Sequence, residues 1–192
     1  MRAKKMDSLQ FYIDRIKADS YIQHYLSAEC GFDLEDKEEL DDDLEFLLEG
    51  GKCGFKLLPF GCDGSGGVYV LADDGRVGYI DSEGGAGFAA CSIGDFFSIL
   101  LSCGYISDWA KASSHGCFDS LQSFMEQLED SVSPSEEYKK RIAEFCCGCG
   151  LETAPEKIYE MFKKGAFSQP PLVIKAVDDD YEDYEPLFDP EG

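Results

Sequence analysis

Residues 58–85 read LPFGCDGSGGVYVLADDGRVGYIDSEGG. Whether the glycines in this stretch cradle a phosphate or open a hairpin decides what kind of fold the chain builds. Four of them fall between Gly61 and Gly67, directly before a strand-like run. A phosphate loop needs G-x-x-x-x-G-K-[ST] leading into a helix, so that backbone amides and the helix N-terminus face the phosphates. Gly61 and Gly66 have the spacing of the two end glycines. Gly67 and Val68 then follow where lysine and Ser or Thr belong, a strand follows where the helix belongs, and Asp63 repels phosphate. The glycines therefore read as structural, permitting sharp turns and close backbone approach before a buried strand.

Outward from this stretch the pattern is that of an antiparallel meander. Residues 54–60 and 68–72 read as strands, the second β-branched and aromatic. Asp73-Asp74-Gly75 is a hairpin signal, because Asp-Gly accepts the positive φ of a tight turn. Residues 77–80 return as the partner strand, and residues 88–91 follow the Gly84-Gly85 turn as another. Ser92–Asp95 resembles a capping box with Asp in place of Glu. The helix it opens, DFFSILLS, is nearly all apolar and belongs against the sheet. Gly104 is its stop, and Trp109, the single tryptophan, is placed to close the core.

Upstream, residues 7–28 read as one helix, with Leu9, Tyr12, Ile13, Ile16, Tyr21, Ile22 and Tyr25 at helical spacing and Asp7 or Ser8 as its cap. Residues 29–49 hold eleven carboxylates and one base, Lys37. Leu40, Leu44, Leu47 and Leu48 make this an amphipathic helix with a very acidic outer face, ended by Gly50-Gly51. Downstream, Leu121, Phe124, Met125 and Leu128 form an apolar stripe. SPSE at residues 133–136 is a capping box, and TAPE at residues 153–156 repeats the logic for a helix that Gly165 ends. Residues 176–192 carry eight carboxylates and no base, a partly ordered tail whose Tyr181, Tyr184, Leu187 and Phe188 are able to dock on the body. No internal repeat of useful length is visible.

A chain of 192 residues, 44% hydrophobic, suffices for one domain with an appendage. Its apolar runs are too short to span a bilayer, and the basic start lacks the apolar core of a signal peptide. Nine cysteines, an odd number without an export signal, read as reduced thiols buried as small hydrophobes, which places the chain in the cytoplasm. A net charge of −22 repels nucleic acid and anionic membrane and attracts basic proteins. The plain alternative is solubility.

Chemistry is sparsely signalled. Cys146, Cys147 and Cys149 lack the second pair that a structural zinc site needs, and a helix carries Phe145, Cys146 and Cys149 on its inner face. Of the two histidines, His24 lies on the first helix. His115 lies near Cys117, but nothing around it supplies an oxyanion hole. Adjacent acids carry no information in so acidic a chain. No catalytic residue, metal or cofactor is assigned.

Three pieces, LLPFGCDGSGGVYVL (residues 57–71), GRVGYIDSEG (75–84) and AACSIGDFFSILL (89–101), resemble the SUKH superfamily, the SMI1/KNR4-like domains. The likeness lies in the proline-aromatic entry, the Gly-rich turn, the two strands and the following helix, and covers about a quarter of the chain. It implies an α+β fold, mainly antiparallel and flanked by helices, over residues 1–117. Residues 118–175 are then a helical extension packed on it, and residues 176–192 an acidic tail. Pro59, Gly64, Gly66 and Gly67 match as structural turn residues. The resemblance implies a non-enzymatic role: bacterial members are largely immunity proteins that neutralise polymorphic or contact-dependent toxins, often nucleases, and fungal members regulate cell-wall synthesis. The expected partner is a basic toxin domain, bound by a monomer or weak homodimer. The candidate contacts are the acids beside the meander, Asp63, Asp73, Asp74, Asp81 and Glu83, and those of the acidic helix, Asp41, Asp42 and Asp43. An adaptor or regulatory scaffold without a toxin is the alternative.

Overall fold

A five-stranded sheet runs through the centre of the computed structural model, which describes residues 9–106, 108–109, 136–177 and 181–188. Its strands are β2 (Leu57–Cys62), β3 (Val68–Ala72), β4 (Val77–Ile80), β5 (Gly85–Ala90) and β7 (Glu185–Pro186), in that spatial order. The first four form the expected antiparallel meander, and β7 adds to β5 in parallel. The chain is therefore α+β with a mixed, mostly antiparallel sheet. Of the strand expected at 54–60 only residues 57–60 are strand, as the start of β2, and a separate short strand, β1 (Gly51–Cys53), precedes it. The strand expected at 88–91 begins earlier, at Gly85.

Strand alternation fills both faces of this sheet. Val68, Val70 and Ala72 of β3 point to one face with Ile80, Ala86 and Phe88, while Tyr69 points to the other with Val77 and Tyr79. Burying both faces demands a layer on each side. On the Tyr69 side lie α1 (Leu9–Lys17), α2 (Ser20–Cys30), α4 (Ile93–Cys103), α5 (Glu136–Cys149) and α6 (Pro155–Ala166). On the Val68 side lie α3 (Lys37–Leu47), through Leu44 and Leu47, and a two-stranded ribbon of β1 with β6 (Ile174–Ala176).

The local signals held unevenly. Ser92 caps α4 by accepting from the Asp95 amide at 3.1 Å, and Gly104 ends it at φ 73°. α4 is buried along most of its length, and Trp109 is 0% exposed, its ring centroid 4.3 Å from that of Phe162 on α6. The single helix expected over residues 7–28 is two: Asp19 leaves the helix with extended backbone and caps α2, its carboxylate accepting from the Tyr21 and Ile22 amides. The apolar spacing continues through this break because both helices bury the same side. The box expected at residues 153–156 does not form. Ala154 is the N-cap without a side-chain bond, and the Glu152 carboxylate takes the Thr153 and Ala154 amides.

Gly165 does not end α6, which continues to Ala166. A Cβ at Gly165 would stand 2.5 Å from the Ala89 carbonyl oxygen, so this glycine lets α6 close onto β5. Residues 181–188 dock on the body. Phe188 is buried 5.1 Å from Phe162, Leu187 is partly buried, and the Tyr184 hydroxyl donates to the Leu47 carbonyl. Tyr181 lies over Gly50 and stays 44% exposed. Residues 133–135 of the SPSE box, the stripe of Leu121, Phe124, Met125 and Leu128, and residues 178–180 and 189–192 of the tail lie outside the described residues.

Candidate functional site

The meander places its β2–β3 and β4–β5 turns at one end of the sheet, and the two are built alike. Asp63-Gly-Ser-Gly-Gly67 and Asp81-Ser-Glu-Gly-Gly85 share the pattern D-x-[SE]-G-G. In each, the Asp amide donates to the carbonyl of the glycine four residues on at 2.9 Å. In each, one carboxylate oxygen accepts from the amides at the second and fourth following positions: Ser65 and Gly67 at 2.9 and 2.9 Å, Glu83 and Gly85 at 2.9 and 2.6 Å. The fourth residue takes positive φ in both, 90° at Gly66 and 95° at Gly84, a conformation that glycine adopts without steric cost. The Ser82 hydroxyl joins the turns by donating to the Ser65 carbonyl at 2.8 Å. This five-residue repeat escapes a periodicity search because it is short and its copies stand eighteen residues apart.

The surroundings of the two turns differ. Asp63 also accepts from the Ser65 hydroxyl at 2.8 Å and, through its second oxygen, from the Tyr79 hydroxyl. Burial and this carboxylate together push the Tyr79 hydroxyl far above its usual range. The Tyr79 ring lies against Gly67, where a Cβ would collide with it. Pro59 sits on the edge strand β2 beside a bulge, the kind of position to which proline is confined in sheets. Gly64 has open space around its Cβ position, so no steric need fixes a glycine there.

Beside the turns lies a cleft of about 650 Å³. Asp33, Asp63, Asp81 and Glu83 line it, together with Tyr79 and Tyr105. Sequence reasoning did not single out Asp33. Gly31 ends α2 at φ 58° and turns the chain so that Asp33 bridges Cys62 of β2 by paired backbone bonds of 2.9 and 3.1 Å. One bridge leaves no alternation to read, so the signal was absent. Burial and the charges of Glu35, Asp33 and Asp43 push the Cys62 thiol up to about 12. Asp43 is exposed on α3 and does not line the cleft. Asp42 is exposed on α3, and Asp41 pairs with Lys37.

Asp73 and Asp74 are at the opposite end of the sheet, in the β3–β4 turn. Asp73 is exposed. Asp74 bonds the guanidinium of Arg76, at 2.9 Å to Nε and 2.7 Å to Nη2. Hydrogen bonding from Arg76 holds its carboxyl below the usual carboxylate range. Arg76 is nearly buried, lies 3.9 Å above the Phe88 ring, and donates to the Ser168 hydroxyl and the Pro170 carbonyl. The candidate acids therefore fall in three places: Asp63, Asp81 and Glu83 on the cleft, Asp41, Asp42 and Asp43 on α3, and Asp73 and Asp74 at the far end of the sheet, with Asp74 tied to a buried cation.

Cys146 and Cys149 face the core with Phe145, and burial with the neighbouring Cys149 pushes the Cys146 thiol up to about 11. The described cysteines are free thiols, and among the described residues no three His, Cys, Asp or Glu side chains converge as a metal site. His24 lies exposed on α2, and His115 and Cys117 lie outside the described residues. Among the described residues no helix is long and apolar enough to cross a membrane. No family model, curated protein or solved structure matches this chain.

Proposed function

We propose that the chain is a non-enzymatic binding protein of the SUKH type, a cytoplasmic immunity protein that neutralises a polymorphic or contact-dependent toxin. The observation that carries this reading is the convergence of Asp33, Asp63, Asp81 and Glu83 on one cleft in a chain of net charge −22. Carboxylates gathered on a concave surface make its potential more negative, and a basic partner relieves their mutual repulsion. A nuclease toxin holds phosphates on a basic surface. An acidic protein seated there excludes the nucleic acid, and charge complementarity speeds the encounter at low salt.

The test is capture of partners from the source cell's lysate by the full chain, followed by growth of cells expressing the captured protein with and without this chain. Restored growth, with capture weakening as salt rises, is the expected result. Capture of a basic protein that is not toxic, or of partners indifferent to salt, would count against it. A second reading, an adaptor of the same type without a toxin partner, is favoured by Phe46, which stands 75% exposed on the otherwise acidic outer side of α3.

A further inference from the structure

We propose that the outer face of the β1–β6 ribbon is a second docking surface, taking a segment of a partner protein that carries carboxylates among apolar side chains. The ribbon pairs Gly51 with Ala176, Lys52 with Lys175 and Cys53 with Ile174. Ile174 is 0% exposed and packs into the core, so its row faces inward. Strand alternation then sets Lys52, Val173, Lys175 and Val177 on the outer face.

Three features of this face ask for a partner. First, Lys52 and Lys175 are directly opposite on paired strands, an arrangement that repels unless a carboxylate is shared between them. Neither lysine makes an ion pair among the described residues, although the chain holds more than twice as many acids as bases. Second, Val173 and Val177 are 37% and 46% exposed on either side of Lys175. They are two of the seven large apolar side chains that stand exposed among the described residues. Third, a groove of about 650 Å³ runs alongside, floored by Phe55, Pro170 and Pro171.

The local charge of this face selects the occupant. Local cations flanked by apolar side chains complement an acidic, apolar chain segment. A second copy docked face to face would set the same lysines against these, and a nucleic acid offers no aliphatic surface to the valines. This surface lies apart from the acidic cleft, so either proposal survives failure of the other.

The test selects a displayed library of random 12-residue peptides on the full chain, in parallel with K52E/K175E. Both lysines are exposed, so the double variant should melt as wild type does, which verifies folding. Expected is enrichment of peptides rich in Asp, Glu and apolar residues. A synthetic copy of the most enriched should bind wild type at least about tenfold more tightly than K52E/K175E, with Glu83→Gln without effect. Absence of enrichment, recovery of basic peptides, equal binding to both forms, or dimerisation of the wild type through this face would each overturn the proposal.

Discussion

The two ends of the central sheet hold acidic turns of opposite character. Where β3 meets β4, Asp74 is held by Arg76, whose guanidinium rests on Phe88 and reaches Ser168 and Pro170, so the charge serves to clip the 168–170 segment to the meander. Where β2 meets β3 and β4 meets β5, Asp63 and Asp81 are held by amides and hydroxyls, with no cation paired to either among the described residues. A carboxylate satisfied by neutral donors is fixed in place without being neutralised, and its field still reaches the cleft. Burial of a carboxylate's hydrogen bonds therefore does not by itself separate a structural acid from a binding one. The identity of its donors decides whether it is paired to a cation or keeps its charge unpaired.

This contrast is open to attack, beginning where the effect is largest. Arg76→Ala removes a nearly buried cation, strands the Pro170 carbonyl and frees Asp74. A loss of about 3 kcal/mol in urea unfolding is expected, and a loss below about 1 would mean that the clip is ornamental. Asp63→Ala opens one turn and orphans the Tyr79 hydroxyl, with an expected loss of about 2 kcal/mol. Asp81→Ala, lacking the tyrosine, should lose about 1, and equal losses would contradict the difference drawn between the twin turns.

Acid sharpens the contrast further. Asp74 sits below its unfolded value of 3.8 because of Arg76. A depressed carboxyl stabilises the fold fully above 3.8, and that share is lost as pH falls through the lower folded value. Asp74→Asn should therefore be less stable than wild type at neutral pH, with the gap closing below 3.8. A gap independent of pH would sink the pairing. The smallest effect belongs to Ser82→Ala, which cuts the exposed link between the turns. Stability should stay within about 0.5 kcal/mol, and a larger drop would show that the turns stand or fall together.

Legibility in the sequence followed the range of the interactions. The β3–β4 hairpin, the Ser92 cap, the burial of α4 and the inner face of Cys146 and Cys149 rest on neighbours a few residues apart, and their patterns were readable. The break at Asp19 was hidden because the apolar spacing runs through it. The ribbon joins residues more than a hundred positions apart, and β7 joins the sheet across nearly the same distance, so no local pattern marks either. Gly165 looked like a stop because glycine after apolar spacing has that meaning in isolation, whereas its role is set by β5. For the cleft, the turn acids were visible but their grouping was not. Asp33 arrives through a single bridge, and Asp74 is withdrawn by an arginine whose burial only the fold creates.

The central proposal is that the twin-turn end, and not the Arg76 end, meets a basic partner. Its most direct test is co-purification from the source cell's lysate by wild type, D33N/E83Q and Asp73→Asn, each at low and moderate salt, with mass spectrometric identification. One basic protein retained by wild type and Asp73→Asn, reduced by D33N/E83Q and released as salt rises, is the expected result. Equal retention by all three, or retention unchanged by salt, would contradict the proposal and leave the acidity of the cleft as a matter of solubility.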